Sequence, residues 1–189
     1  MRRGRGNRIS ACAPDGTGVD WEPSAMSWIF FPTAIGPCGL TWNGSLLTAF
    51  RLPGNAPGAA DPPPDGAPPW VRDLVVAVQR HLAGELQDFT GVPLAWDAVP
   101  AFARRVYEAT RTVPAGQTRT YGDLAKALGE PPAASRAIGA ALGANPWPLI
   151  VPCHRIVGAG DRLTGFSAAG GVRTKARLLV IEGAQLLAE

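Results

Sequence analysis

Two apolar stretches, Leu149-Ile150-Val151 and Ile156-Val157, enclose the polar trio Cys153-His154-Arg155 behind Pro152. This places a thiol beside an imidazole and a guanidinium. A free thiol has a reference pKa of roughly 8.5, and only its thiolate is a strong nucleophile. A neighbouring base and a positive charge supply that thiolate, so the trio reads as an activated cysteine. The alternative is a buried structural cysteine followed by two ordinary polar residues.

The rest of the chain sets limits on what surrounds this segment. With 189 residues and 46% apolar content, one large domain or two small ones with a packed core are expected. Asn43-Gly44 between Leu40-Thr41-Trp42 and Leu46-Leu47-Thr48-Ala49-Phe50 signals a hairpin, one of two or three antiparallel strands within residues 26–52. Gly54 to Pro69 is crowded with Pro, Gly, Ala and Asp and reads as a surface loop. Val71, Leu74, Val75, Val78 and Leu82 then recur at helical spacing, predicting an amphipathic helix that ends near Gly84. A second helix carries Phe102, Val106 and Ala109 on one face. These signals divide the chain into a tail (1–22), a sheet-and-helix domain (23–97) and a mostly helical domain (98–189). The fold class is α/β in the α+β sense.

Three cysteines, Cys12, Cys38 and Cys153, show neither paired nor short spacing, which argues against a disulfide framework or zinc knuckle and fits a reducing cytoplasm. Cys12, Cys38 and His81 are too sparse to suggest a metal site, and no metal or organic cofactor is assigned. The start Met1-Arg2-Arg3-Gly4-Arg5 is basic, but no apolar stretch of signal-peptide length follows, and no apolar run has membrane-spanning length. A soluble protein is expected. The net charge of +3 hides an asymmetry: residues 1–100 hold 7 Lys/Arg against 9 Asp/Glu, residues 101–189 hold 11 against 6. The basic share travels with the Cys-His pair and fits a polyanionic partner such as nucleic acid.

Thr120 and Asp123 can cap a helix through Leu128, and Gly129 with Pro131 stops it; a second helix follows from about Ala133 to Ala144. Two short helices with a tight link make a helix-turn-helix. Its second helix opens with Ala134, Ser135, Arg136 and Ala137, followed by Gly139. Such small side chains let a helix backbone approach another surface, but they cannot read base edges in a major groove. One arginine among alanines suits insertion of a long cationic side chain into a base stack. A plain alanine-rich core helix is the other reading.

The string Asn145-Pro146-x-Pro148-x-x-x-Pro152-Cys153-His154-Arg155 resembles the signature of the O6-alkylguanine-DNA alkyltransferases, also called methylated-DNA-protein-cysteine methyltransferases. Thr120-Tyr121-Gly122-Asp123-Leu124-Ala125, Arg136-Ala137-Ile138-Gly139, Leu163-Thr164-Gly165-Phe166-Ser167 and Lys175-x-x-Leu178-Leu179-x-x-Glu182-Gly183 recur in family order. The resemblance covers about residues 98 to 187; Phe31 to Trp96 are similar only in outline. It implies DNA repair by a single-turnover methyltransferase, in which Cys153 takes an alkyl group from O6 of guanine in DNA and is not regenerated. It further implies that His154 is the base, acting through a water, that Glu182 orients and polarises it, and that Asn145 links the recognition helix to the cysteine turn. Tyr121 then faces the flipped base, and Arg136 fills the vacated stack on a helix whose Ala134, Ser135, Ala137 and Gly139 lie against DNA. Phe166, Ser167 and the backbone of Val151 and Ile156 fall with Tyr121 at the guanine pocket. Extrusion of the base is a mechanical requirement, because a base inside a duplex cannot present O6 to a buried thiol.

Two departures bear on the pocket. Phe166 stands where the family commonly has Tyr, and Ser167-Ala168-Ala169-Gly170-Gly171 makes the loop before Lys175 about two residues longer. The expected partner is double-stranded DNA containing O6-alkylguanine, met by a cytoplasmic monomer without membrane association. The competing readings are a lesion sensor that binds without chemistry, which characteristically lacks the acceptor cysteine, a Cys-His hydrolase, and a sequence-specific regulator.

Overall fold

The computed structural model describes residues 28–54 and 66–184. The tail, Cys12 and most of the Pro/Gly-rich loop lie outside the described residues. Three antiparallel strands come first, β1 (Ile29–Phe31), β2 (Cys38–Asn43) and β3 (Leu46–Arg51), in the order β1-β2-β3. Asn43 pairs with Leu46, so the hairpin loop is Gly44-Ser45, and Gly44 takes the left-handed turn at φ +57°.

Helix α1 (Pro69–Leu82) begins with proline in its first turn, where a missing N–H costs nothing, and buries Val71, Leu74, Val75, Val78 and Leu82. Gly84 follows with φ +99°, ending it where the sequence indicates. In α2 (Ala101–Arg111) the buried face is Ala103, Val106, Tyr107 and Thr110. Phe102 and Ala109, assigned to that face from sequence, are only half-buried, because the helix turns Tyr107 inward and its hydroxyl donates to Ala141 O at 2.8 Å.

Helix α3 (Tyr121–Ala127) carries the reciprocal cap expected of it: Asp123 N donates to Thr120 Oγ1 at 3.0 Å and Thr120 N donates to Asp123 Oδ2, also at 3.0 Å. The second helix is shorter than its sequence suggests. Pro132–Ala134 form a 3₁₀ turn, and α4 runs from Ser135 to Gly143. Ser135 closes that turn by donating both its amide and its hydroxyl to Pro132 O, the latter at 2.8 Å. Helix α5 (Val172–Ile181) closes the described chain. Its lead-in loop ends on Gly170 and Gly171, both at positive φ; a Cβ on Gly170 would run into the Thr174 hydroxyl.

A short parallel pair, β4 (Arg119–Thr120) with β5 (Ile156–Val157), ties the start of α3 to the residues just after the cysteine. The buried apolar cluster runs without a break from Ile29 through Tyr107 and Trp147 to Leu178. Among the described residues, no helix is long and apolar enough to cross a membrane.

Candidate active site

Residues 145–157 are held by their neighbours on every side. Phe50 N donates to Pro146 O at 2.9 Å, and the buried Trp147 indole N–H donates to Leu47 O at 3.0 Å, so β3 braces the segment. Leu149 adopts φ +80°, costly for a branched side chain, and is fully buried inside a turn closed by Val151 N donating to Trp147 O. Asn145 clamps the same turn twice: its Nδ2 donates to Val151 O at 2.9 Å, and its Oδ1 accepts from Trp147 N at 2.9 Å. The same Nδ2 lies 3.3 Å from Cys153 Sγ.

Cys153–Arg155 form a 3₁₀ turn, not an extended strand. This turn sends Arg155 away from the thiol. Arg155 Nε and Nη2 donate to Glu182 Oε2 and Oε1 at 2.9 and 2.8 Å, and Nη1 donates to Val113 O. The sequence expectation that the adjacent guanidinium serves the thiol is therefore corrected. The cation whose field reaches Cys153 is Lys175 from α5, fully buried, with Nζ donating to Ile156 O and to Thr164 O at 3.0 Å. Burial lowers Lys175 to about 8, a fall that the nearby Cys153 partly resists.

Burial raises the Cys153 thiol above its ordinary value, against the pull of the Asn145 hydrogen bond and the Lys175 charge. The resting group is a protonated thiol. Cys38 makes a useful contrast, because burial drives it to about 12 with only Thr33 nearby to oppose that, and it is inert core. Burial also lowers His154, despite the hydrogen bond and charge of Glu182, so its ring is neutral at rest. Burial would raise Glu182, but hydrogen bonds from His154, His81 and Arg155 outweigh it and hold the carboxyl well below the usual range. Since His154 Nε2 meets this ionised carboxylate at 2.9 Å, Nε2 carries the hydrogen and Nδ1 keeps its lone pair. That Nδ1 is buried without a hydrogen-bonding partner among the described residues.

Cys153 borders two openings. A cavity of about 470 Å³ is lined by Tyr121, Gly139, Cys153, Thr164, Phe166 and Ser167. A smaller cleft of about 250 Å³ approaches from the sheet side past Asn145 and Pro148, and shares Cys153 and Ser167 with the first. Beside Tyr121 a further hollow of about 460 Å³ is lined by Ser135, Arg136 and Gly139 of α4. Arg136 is exposed there.

Similarity to known proteins agrees with this geometry. Over 150 residues the chain is 41% identical to the methylated-DNA–protein-cysteine methyltransferase of Mycobacterium tuberculosis, covering 78% of this chain and 87% of that one. The chain belongs to the methylated-DNA–protein-cysteine methyltransferase family. The Haemophilus influenzae methyltransferase is 33% identical over 161 residues, covering 84% of this chain and 87% of that one. Residues 101–184 match the family model described as the 6-O-methylguanine DNA methyltransferase DNA binding domain. Mycobacterium tuberculosis OGT, solved in complex with DNA, superposes with a TM-score of 0.68 at 36% identity, over 82% of this chain and 92% of that one. The O6-methylguanine-DNA methyltransferase of Pyrococcus kodakaraensis gives a TM-score of 0.61 at 27% identity, over 85% and 100%.

Of the residues singled out by resemblance to this family, Asn145 meets Cys153 and His154 meets Glu182, two hydrogen-bonded pairs brought side by side by the Cys153–Arg155 turn. Tyr121, Phe166 and Ser167 line the cavity beside the sulfur. Val151 and Ile156 do not line it: both are fully buried, and their carbonyls receive Asn145 Nδ2 and Lys175 Nζ. Ala134 and Ala137 lie at the same end of α4 as Arg136 without lining the hollow beside Tyr121. Sequence reasoning missed Lys175 and His81. Lys175 stands in a quoted motif without a role, and its burial was the missing signal. His81 was weighed only as a metal ligand; its Nε2 lies 3.0 Å from Glu182 Oε1.

Proposed function

We propose that this chain repairs DNA by moving the alkyl group of O6-alkylguanine onto Cys153 in a single, irreversible turnover. The observation that carries this reading is a buried thiol at the wall of a base-sized cavity, linked through Asn145 to the helix that carries Arg136. The lesion base leaves the duplex and enters this cavity beside Tyr121, while Arg136 occupies the space left in the stack. The 3₁₀ turn and Asn145 fix Sγ relative to α4.

The chemistry follows from the protonation states. Cys153 loses its proton to His154 Nδ1 by way of one bridging water, and Glu182 steadies the resulting imidazolium through Nε2. Asn145 and Lys175 stabilise the thiolate. Sulfur then attacks the alkyl carbon opposite O6. The S–C bond forms as the C–O6 bond breaks, its electron pair passing to the base, and the proton taken from sulfur is returned to guanine as it leaves. The Tyr121 hydroxyl serves as a hydrogen-bond donor to the departing base. A thioether is not a leaving group under these conditions, so the protein is consumed. The presence of Cys153 separates this reading from a lesion sensor without chemistry.

Within this reading residues 98–189 carry the acceptor and the DNA-facing helix, and residues 23–97 brace the cysteine turn from β3. Duplex DNA is engaged by a monomer through the basic second half. Incubation with a duplex containing O6-methylguanine tests the proposal: the Cys153 peptide gains one methyl group, and a protein that binds this DNA yet gains no mass refutes it.

A further inference from the structure

The chain has two histidines, and both lie on the same oxygen atom. His154 reaches Glu182 Oε1 from the cysteine turn, and His81 reaches it from the last turn of α1, 101 residues away in sequence. His81 is 1% exposed. Its Nδ1 accepts from the Gln87 amide at 3.1 Å, so the neutral ring carries its hydrogen on Nε2 and donates to Glu182. The Phe89 ring lies against it, with centroids 5.1 Å apart. The charged and titratable groups facing His81 are Glu182 and, around that carboxylate, His154 and Arg155; Arg80 of α1 lies at the surface against Glu85.

Charge balance does not call for His81. Arg155 already matches the single negative charge of Glu182 with two hydrogen bonds. What His81 changes is how much of Oε1 remains for His154. A carboxylate oxygen shared between two imidazole donors is a weaker acceptor toward each than one serving a single ring. A proton arriving on His154 also meets the electrostatic opposition of a neighbouring imidazole.

We propose that His81 is a positioning residue for alkyl transfer: by donating to Glu182 Oε1 it limits how tightly Glu182 holds His154 in its protonated form. This rests on the alkyl-transfer reading, in which His154 must be neutral before the reaction, accept the thiol proton during it, and release that proton to the base. A carboxylate shared only between Arg155 and His154 would hold the imidazolium more firmly at rest and weaken His154 as a base. Helix α1 thus sets the base strength of a residue carried by the cysteine turn.

The test is the pH dependence of single-turnover methyl transfer between about pH 5 and about pH 9, read alongside imidazole NMR titrations of the DNA-free proteins. In His81→Phe the acid limb moves upward by about half a pH unit or more, and the His154 resonance titrates upward with it. His81→Gln, whose amide reaches the same oxygen without titrating, keeps the limb at the wild-type position. His81→Met repeats the donor-free case in a different packing context if the phenyl ring is not tolerated. An acid limb and His154 titration unmoved in the donor-free variants overturn the proposal, including when the rate falls equally at every pH, which marks packing alone. Should the wild type transfer no methyl group, the alkyl-transfer reading fails, and the DNA-free titrations still decide whether His81 governs His154.

Discussion

Replacing Arg155 with methionine removes three donated hydrogen bonds and the only guanidinium on Glu182 among the described residues. Both partners are buried, with side-chain exposures of 8% and 1%, so solvent screening does little to soften the loss. Breaking one side of a buried, hydrogen-bonded ion pair costs about 3–5 kcal/mol, mostly from the charge left behind. The folded-state pKa of Glu182 is depressed, so its stabilisation is complete above the unfolded value of about 4.3 and is lost as pH falls through the folded one. Arg155→Met removes part of that depression. Its deficit is therefore full at neutral and mildly acid pH and shrinks only as pH falls below about 4.3, where the carboxylate is progressively neutralised. Equilibrium urea unfolding reads this as a midpoint lowered by about 1–2 M near pH 7.5 and by as much near pH 5.5, the gap closing only below about pH 4. The double variant Arg155→Met/Glu182→Gln is more stable than Arg155→Met alone, since no charge remains unpaired. A deficit below about 1 kcal/mol at neutral pH, or one that grows toward acid, refutes the reasoning.

Further predictions address the thiol and the DNA-facing helix. Asn145→Ala loses the hydrogen bond to Sγ and both clamps on the cysteine turn, slowing transfer by about 10- to 100-fold and destabilising the fold by about 2 kcal/mol; stopped-flow quenching and urea unfolding check the two effects. Lys175→Gln removes the cation acting on Cys153 and slows transfer at neutral pH by about 10-fold or more. Cationic support in the wild type fades as pH rises through about 8, so the ratio between the two proteins narrows there; a constant ratio argues against an electrostatic role. Arg136→Ala slows repair of duplex more than of single strands, and equal losses on both count against insertion into the stack.

The elements nearest the chain's local signals were the most legible. The hairpin at Asn43-Gly44, the α1 stripe and the Thr120–Asp123 cap depend on neighbours within a few residues, and each forms where its pattern lies. The start of α4 was less legible, because Ser135 turns back on Pro132 O with both its amide and its hydroxyl and holds a 3₁₀ turn where the alanines suggest helix. The cysteine was legible, but the direction of Arg155 was not: adjacency in sequence put the guanidinium beside the thiol, whereas the turn sends it to a carboxylate 27 residues away. His81 shows the same limit more sharply. Its spacing places it on the buried side of α1, and nothing local says that a glutamate after α5 will meet it. Lys175 had its motif but no visible reason, because a lysine's burial depends on what folds over it.

The central claim is transfer of one alkyl group to one sulfur. Peptide mass spectrometry after mixing the protein with excess O6-methylguanine duplex measures it directly. The account predicts one methyl group per protein, located on Cys153, with repaired guanine appearing in equal amount and then no more; Cys153→Ala binds the duplex and gains nothing. Repaired guanine accumulating beyond one equivalent, or methylation located on another residue, contradicts it.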